Sequence, residues 1–308
     1  MATHGCIHDG WLVLKPVNRE KVDEGYFYHL LGSDAVYAKF SSRAAGSTVK
    51  NLNTDIVSSI EIPLPPLDEQ RRIAAILDKA DALRRKRKRT LELLDGLTQS
   101  RFSAEFSGEN VAMPLGDVLK HIDSGWSPTC LDRAAREDEA GALKLSAITQ
   151  GHFEASENKA FPPAVTPRSH DEVMQGDVLF CRKNTRELVG SSAYVWETPP
   201  RLHISDLIFR LVPKLTVVDP IYLQAAVSSE GVRRKISALS AGSAGSMPNI
   251  SKSKLREVSI PMPDVGRQRR FGEFARITNT HRRQQAASLS ALDVLFASLQ
   301  HRAFAGQL

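Results

Sequence analysis

Few residues in this 308-residue sequence can form covalent cross-links, since it contains three cysteines, Cys6, Cys130 and Cys181. They are odd in number and far apart, which argues against a disulfide framework and fits a reducing cytoplasm. Long hydrophobic runs are also missing. No stretch approaches about eighteen apolar residues, and the N-terminus lacks the apolar core of a signal peptide. The sequence therefore predicts a soluble, cytoplasmic protein.

The short motifs that carry catalysis are absent from the sequence. It contains no Gly-x-Gly-x-x-Gly, no Walker motif, no Asn-Pro-Pro-Tyr or Asp-Pro-Pro-Tyr of an amino-methyltransferase, and no Gly-x-Ser-x-Gly. It also contains no convincing nuclease pattern of Asp followed by Glu-x-Lys. We therefore predict a chain that is not an enzyme and carries no cofactor.

One group of potential metal ligands lies at the N-terminus, as His4-x-Cys6-x-His8. Alternate residues of an extended segment make a poor tetrahedral site without a fourth ligand. We predict no metal site.

The composition favours a two-domain protein with a polyanionic partner. Hydrophobic residues make up 42% of the chain, which is enough to bury a core, and the length suggests two domains. The pI is near 9.3 and the net charge is +6. This charge is modest for the length, but it is clustered locally, and clustered basic residues are typical of nucleic-acid partners.

The dominant feature of the sequence is a duplication. Residues 62–72, which begin Ile-Pro-Leu-Pro, recur as residues 260–270, which begin Ile-Pro-Met-Pro, at a constant offset of 198 that also relates Gln70 to Gln268 and Phe106 to Phe304. A repeat of this length is a duplicated module with its own core, unlike the short period of a solenoid.

Each copy of the repeat predicts an extended segment followed by a long helix. Proline disfavours helix in the Ile-Pro-x-Pro segment, and Asp68 occupies an N-cap position. Apolar residues from Ile73 onward follow alternating steps of three and four, the spacing of a coiled coil, which Arg87 interrupts. At 1.5 Å per residue, each helix forms a rod of roughly 55–60 Å. We expect the two rods to pair; the alternative is two exposed helices that never meet.

Outside these helices the sequence predicts an α+β fold that is mostly strand. A strand at 10–16 and a helix at 24–40 match a strand at 205–213 and a helix from 219 in the same order. Because the downstream domain begins near Met113, about 85 residues before the position equivalent to Met1, the upstream domain is predicted to lack its first half. The predicted domains are a partial first domain (1–66), a first spacer helix (67–110), a complete second domain (111–265) and a second spacer helix (266–308).

Two loops are candidates for nucleic-acid contact. Five residues that follow a predicted strand combine long cationic donors with amide and hydroxyl donors, which suit phosphates and base edges: Arg182, Lys183, Asn184, Thr185 and Arg186. The small-residue loop 240–249 could approach a phosphate through its backbone, and it recurs at 43–52. Its candidate residues are Ser243, Gly245, Ser246 and Asn249, with Ser47 and Lys50 in the recurrence. The alternative is that both are ordinary connecting loops. The cationic run 84–89 on the first helix is either a DNA-backbone track or a solvated helix face.

These motifs in this order resemble the DNA specificity (S) subunits of type I restriction-modification systems. The resemblance rests on Leu255-x-x-Val258-x-Ile260-Pro-Met-Pro followed by Gln268 and a long helix, and on its first copy from Val57. Further agreement comes from residues 114–118 (Pro-Leu-Gly-Asp-Val), 176–180 (Gly-Asp-Val-Leu-Phe) and 188–190 (Leu-Val-Gly).

The resemblance implies two target recognition domains, each of which reads half of a split DNA site, held apart by two antiparallel helices that act as a ruler. It implies double-stranded DNA, methyltransferase (M) subunits and a motor-nuclease (R) subunit as partners, with S-adenosylmethionine, ATP and Mg²⁺ on those partners. Apolar helix positions are the partner-binding candidates: Ile73, Leu83, Leu91, Leu94, Leu97, Leu289, Leu292 and Leu295. The half-missing first domain departs from the family pattern. It leaves open a truncated pseudo-subunit that binds M subunits without reading DNA, and a stand-alone DNA-binding regulator.

Overall fold

The computed structural model describes residues 12–44, 52–239 and 247–308. The chain divides into two units. The first unit comprises Met1–Leu93 with Arg282–Leu308, and the second comprises Leu94–His281. The histidine-cysteine group at 4–8 and the candidate residues Ser47, Lys50, Ser243, Gly245 and Ser246 lie outside the described residues.

Two long helices and a set of short elements make up the described chain. The helices are α1 Glu24–Leu31, α2 Asp34–Arg43, α3 Thr54–Ser58, α4 Leu67–Phe106, α5 Leu115–Val118, α6 Ser146–Thr149, α7 Pro220–Ser228, α8 Glu230–Leu239, α9 Lys252–Arg256 and α10 Val265–Phe304. The strands are β1 Ala112–Pro114, β2 Leu119–Ser124, β3 Gly141–Leu143, β4 Asn158–Ala160, β5 Val178–Cys181, β6 Ser192–Tyr194, β7 Leu202–His203, β8 Ile208–Pro213 and β9 Ser259–Pro261.

The second unit contains three small sheets, with strand orders β2-β8-β5-β6, β4-β3-β7 and β1-β9. Strand β5 is apolar throughout because both of its faces are covered. Val178 and Phe180 belong to one hydrophobic cluster, whereas Leu179 and Cys181 belong to another. The strand predicted directly before residues 182–186 and the strand predicted at 205–213 are confirmed as β5 and β8, the central strands of the four-stranded sheet.

Four aromatic rings pack together in the core of the second unit, where the end of α4 contacts the start of α10. Phe106 and Phe271 lie edge-on to Tyr222 of α7, with ring centroids 5.1 and 6.1 Å away, and Phe102 packs beside them. The Tyr222 hydroxyl donates to the Pro261 carbonyl at 2.9 Å. Burial raises the pKa of Tyr222 well above its usual value. The phenol is therefore a neutral hydrogen-bond donor within an apolar cluster.

The first unit repeats this arrangement, but here the phenylalanine comes from the end of α10 and the tyrosine comes from α1. Tyr26 of α1 lies edge-on to Phe304 of α10, with ring centroids 5.6 Å apart, and its hydroxyl donates to the Pro63 carbonyl at 3.0 Å. Phe304 is the repeat equivalent of Phe106. Ile73 and Leu77 of α4 complete the cluster.

The long helices pair in opposite directions within each unit. In the first unit Arg84 contacts Asp293 at 2.6 Å, and Arg87, further along α4, donates to Gln285, which lies earlier in α10. In the second unit Arg101 lies over the Phe274 ring at 5.5 Å, while Glu109, further along the chain, bonds to Arg267, which lies earlier in α10. The predicted antiparallel pairing is confirmed, and the alternative of helices that never meet is wrong.

A buried glutamine side chain connects three segments of the second unit by hydrogen bonds. The side-chain Oε1 of Gln268 accepts from the backbone N–H of Asp219 at 3.0 Å, just before α7. Its Nε2 donates to the carbonyls of Pro263 at 2.9 Å and Val217 at 3.4 Å. Gln268 is 0% exposed. One side chain thus fixes the start of α10, the proline-rich segment before it and the start of α7.

Gln70 makes the equivalent bonds in the first unit. Its Oε1 accepts from the Asp23 N–H at 2.9 Å, and its Nε2 donates to the carbonyls of Pro65 at 2.8 Å and Lys21 at 3.0 Å. Asp23 and Asp219 lie 196 positions apart, whereas the glutamines lie 198 apart. The two copies therefore differ by two residues in length between the short helices and the long ones.

Three local predictions for the first unit are wrong in detail. The predicted helix 24–40 is two helices, because Ser33 lies between them and its hydroxyl donates to the Leu30 carbonyl at 2.6 Å, closing α1. Asp68 lies in the first turn of α4, since that helix begins at Leu67. Residues 12–16 form no strand. A strand needs a hydrogen-bonded neighbour, and β8, their equivalent, lies between β2 and β5.

The loop after β5 ends at a glycine, and a larger residue there would be strained and would clash with α8. Gly190 has φ +79°, and a Cβ there would lie 2.6 Å from Cγ2 of Ile236 on α8. Its N–H donates to the Cys181 carbonyl at 2.8 Å. The loop therefore closes against α8 only with glycine at this position.

We expect Gln268→Leu to lower the free energy of unfolding by about 2–4 kcal/mol, because it leaves the Asp219 N–H and the Pro263 carbonyl buried without a partner. The measurement is the urea midpoint followed by circular dichroism. Gln284→Leu, at an exposed position of α10, is the matched control and should change the midpoint little. Equal midpoints for the two variants would contradict the assigned role of Gln268.

Gly190→Ala should cost about 2–4 kcal/mol of unfolding free energy, since backbone strain and a steric clash add. Gly151→Ala is the control, because Gly151 has φ +78° with nothing within 4 Å of the added Cβ. That variant should lose only about 1 kcal/mol. Comparison of the two thermal midpoints isolates the contact with α8, and equal losses would show that the contact is unimportant.

Candidate nucleic-acid interface

The basic loop, residues 182–186, follows β5 in the second unit. A buried side chain of the loop hydrogen-bonds to its backbone. Asn184 is 8% exposed. Its Oδ1 accepts from the Thr185 N–H at 2.8 Å, and its Nδ2 lies 3.6 Å from the Cys181 sulfur. Burial raises the pKa of the Cys181 thiol, which keeps this contact neutral. Asn184 therefore shapes the loop and does not extend from it.

The structure brings the basic loop together with the end of the small-residue loop. Arg182 Nε donates to Asn249 Oδ1 at 3.1 Å, and the Arg182 carbonyl accepts from the Ile250 N–H at 2.9 Å. Lys183 and Asn249 form an isolated antiparallel bridge. Two candidates that lie 67 positions apart in the sequence thus form one surface.

Cation–π interactions with one aromatic ring position two cations of this surface. The Arg182 guanidinium lies 5.1 Å from the ring centre of Phe209, and Lys252 Nζ lies 5.6 Å from the same ring. Cations close to an aromatic face are attracted by the ring quadrupole. Lys252, at the start of α9, was not among the sequence candidates. The cluster Ser251-Lys252-Ser253-Lys254, two residues after Asn249, is the signal that could have identified it.

Arg186, in the same loop, is an exposed cation, as is Lys252. The neighbouring Glu187 has a lowered pKa, first through a hydrogen bond from its own backbone N–H and then through the Thr185 side chain. It is therefore ionised and offsets one positive charge. Four cations, Arg182, Lys183, Arg186 and Lys252, remain against this carboxylate, so the surface carries a net positive charge.

Arg233 of α8 holds the far side of the basic loop. Its guanidinium donates to the carbonyls of Val189 and Glu187, each at 2.7 Å. Burial lowers the pKa of Arg233, and its two bonds satisfy carbonyls that the loop would otherwise leave unpaired. The loop is thus anchored by Asn184, Gly190 and Arg233, which pre-organises its exposed side chains.

The cationic run at 84–89 is partly neutralised within the first unit. Arg84 pairs with Asp81 and Asp293, Arg85 pairs with Asp81 at 3.2 Å, and Arg89 pairs with Glu92 at 3.2 Å. These contacts favour a solvated helix face over a DNA-backbone track, since exposed charges already paired contribute little further attraction.

The predicted partner-binding positions fall into three groups. Ile73 is 3% exposed and lies in the core of the first unit, so it is not available to a partner. Leu83, Leu97 and Leu295 are exposed, and Leu91, Leu94, Leu289 and Leu292 are half-buried. Exposed apolar residues that the sequence analysis did not select are Leu93, Ile277 and Val294.

Among the described residues, none of the helices is long and apolar enough to cross a membrane. In the same ranges, no three histidine, cysteine or acidic side chains group together as metal ligands would.

Comparison with known proteins gives a consistent result. Residues 5–93 match the family model of the type I restriction modification DNA specificity domain. The specificity subunit of the type I restriction enzyme EcoEI from Escherichia coli is 32% identical over 155 residues, which cover 50% of this chain and 26% of that protein. The EcoKI specificity subunit from Escherichia coli strain K12 is 23% identical over 320 residues, which cover 96% of this chain and 68% of that protein.

Solved structures support the same fold. A type I restriction-modification complex studied for its assembly and conformational transition contains a chain with TM-score 0.53 at 22% identity, covering 94% of this chain and 73% of that one. The S subunit of a type I system from M. genitalium gives TM-score 0.54 at 17% identity, covering 94% and 74%. These matches make the chain similar to the specificity subunits of type I restriction-modification systems, in sequence over part of its length and in fold over most of it.

Proposed function

We propose that this chain is the non-catalytic DNA-recognition subunit of a type I restriction-modification complex. The observation that supports it best is the joining of Arg182, Lys183 and Asn249 into one surface, held by the rings and backbone beneath it. Arginine and asparagine side chains match the donor and acceptor patterns of base edges in the major groove. The second unit is therefore the unit that reads DNA.

In this proposal the chemistry belongs to partner subunits. Methyltransferase subunits that carry S-adenosylmethionine methylate adenine, and a motor-nuclease subunit that uses ATP and Mg²⁺ cleaves DNA. The long helices expose apolar side chains at Leu83, Leu93 and Val294. These favour docking of the methyltransferase subunits on the helices, because binding buries exposed apolar surface.

Co-expression of the chain with its methyltransferase subunit, followed by single-molecule sequencing of the host DNA, tests the function directly. We expect methylated adenines within one sequence motif, with the two subunits purifying together. A split motif with both halves defined would mean that a second recognition element acts with the second unit. Random or absent methylation despite co-purification would favour a pseudo-subunit that does not read DNA.

The double variant Lys183→Ala with Arg186→Ala should weaken binding to a duplex carrying that motif by about 1–3 kcal/mol for each side chain that reads a base. If the two cations touch only phosphates, the salt dependence of binding should fall by about one unit for each cation. Fluorescence anisotropy at several salt concentrations distinguishes the two cases.

The control for this variant is Lys120→Ala with Arg136→Ala, which removes two exposed cations of the same unit that make no described hydrogen bond or ion pair with the basic loop. It should bind like the unmodified chain. If both double variants lose the same affinity, then net charge alone accounts for the effect and the basic loop is not the reading surface.

A further inference from the structure

Within the described residues, the first unit has an open apolar groove of about 470 Å³. Its lining comes from residues 14–16, Val22, α1, α2, α3 and the proline-rich segment before α4. Its apolar side chains include Phe27, Leu31, Phe40, Val57, Ile60 and Ile62. None of these six is fully buried. Tyr28 at its edge is 70% exposed. A concave surface lined by apolar side chains is typical of a binding site.

The duplication shows what covers this surface in the second unit. The equivalents of the six lining residues are Leu223, Val227, Ile236, Leu255, Val258 and Ile260, and each is between 0% and 5% exposed. They share one cluster with Leu115, Val118, Leu119 and Ile122. Residues 111–122, which we call the covering segment, contact α9 and β9 and cover this part of the surface in the second unit, whereas β5 and β6 contact α7. In the first unit, no segment covers the equivalent part around Val57, Ile60 and Ile62 within the described residues.

Backbone hydrogen bonds hold the covering segment in place. The Leu115 N–H donates to the Val258 carbonyl, and the Met262 N–H donates to the Val111 carbonyl, each at 2.8 Å. Between them β1 pairs with β9 in antiparallel register. In the first unit the equivalents of Val258 and Met262 are Ile60 and Leu64, and neither makes the corresponding bond within the described residues.

The exposures of the side chains beside this edge show the same difference between the two units. Leu64 is 56% exposed, whereas its equivalent Met262 is 7% exposed. Residues 61–63 pair with no strand among the described residues, although their equivalent is β9. A segment without a strand neighbour beside an apolar groove is suited to the addition of a strand from another polypeptide.

We propose that the groove of the first unit docks a partner polypeptide with the pattern of the covering segment: a short strand, one helical turn and a second strand that place apolar side chains on one face. The backbone edge favours a polypeptide over an apolar small molecule. The covering segment of a second copy is already buried in its own second unit, so an intact second copy is not the occupant. The inference rests on the duplication and is independent of the proposed function.

The experiment uses the full chain and a fluorescent peptide of residues 111–122, Val-Ala-Met-Pro-Leu-Gly-Asp-Val-Leu-Lys-His-Ile. Fluorescence anisotropy should show saturable binding with one peptide per chain. A peptide with Leu115→Asp and Val118→Asp should bind at least tenfold more weakly, because it carries charges to the positions that face the groove. Absence of saturable binding by the unaltered peptide would overturn the proposal.

Variants of the chain locate the binding site. Leu31→Arg on α1 and Val57→Asp on α3 each place a charge in the groove, and each should weaken binding at least tenfold while circular dichroism confirms folding. Tyr37→Arg is the matched control, since Tyr37 is 67% exposed and does not line the groove, and Arg233 occupies its equivalent position. Its binding should be unchanged. Full binding by both groove variants would place the peptide elsewhere, for example by exchange into the second unit, and would reject the docking site.

Discussion

Two buried glutamine side chains are the constraint on which the architecture depends. Each of them satisfies one backbone donor and two carbonyls beside the proline-rich segments, where proline removes backbone donors. Without such a side chain, the junction between the short helices of each unit and its long helix would contain several unpaired backbone groups. The glutamine thus allows an abrupt change from extended chain to helix at a buried position.

The sequence predicted those parts of the fold whose signals are local or repeated. Helical spacing after Ile73 and the proline-rich segments located both long helices, and the constant offset of 198 required that they share one design. The apolar run of β5 was recognisable because a strand covered on both faces has no polar alternation. In each case the pattern in the sequence and the packing in the structure have the same physical cause.

Features that depend on a distant partner were not predictable in the same way. Residues 12–16 have the composition of a strand, yet strand formation requires neighbours that lie elsewhere in the chain. The loop 182–186 was recognised by its residue types, but its connection to Asn249 depends on a bridge between strand ends. Asn184 was assigned to contact on the same basis, and only its burial shows that it supports the loop. Lys252 was missed because its partner is a ring from another strand, Phe209.

The contact between Arg87 and Gln285 joins equivalent positions of the two copies. At such a position, pairing between two identical modules would bring each residue against itself. Two first copies would place arginine against arginine, and the repulsion between like charges would disfavour that assembly. After duplication, divergence to an arginine in one copy and a glutamine in the other replaces a contact between identical residues with a contact between complementary residues. The module that could have formed homodimers is thereby directed to the other half of its own chain.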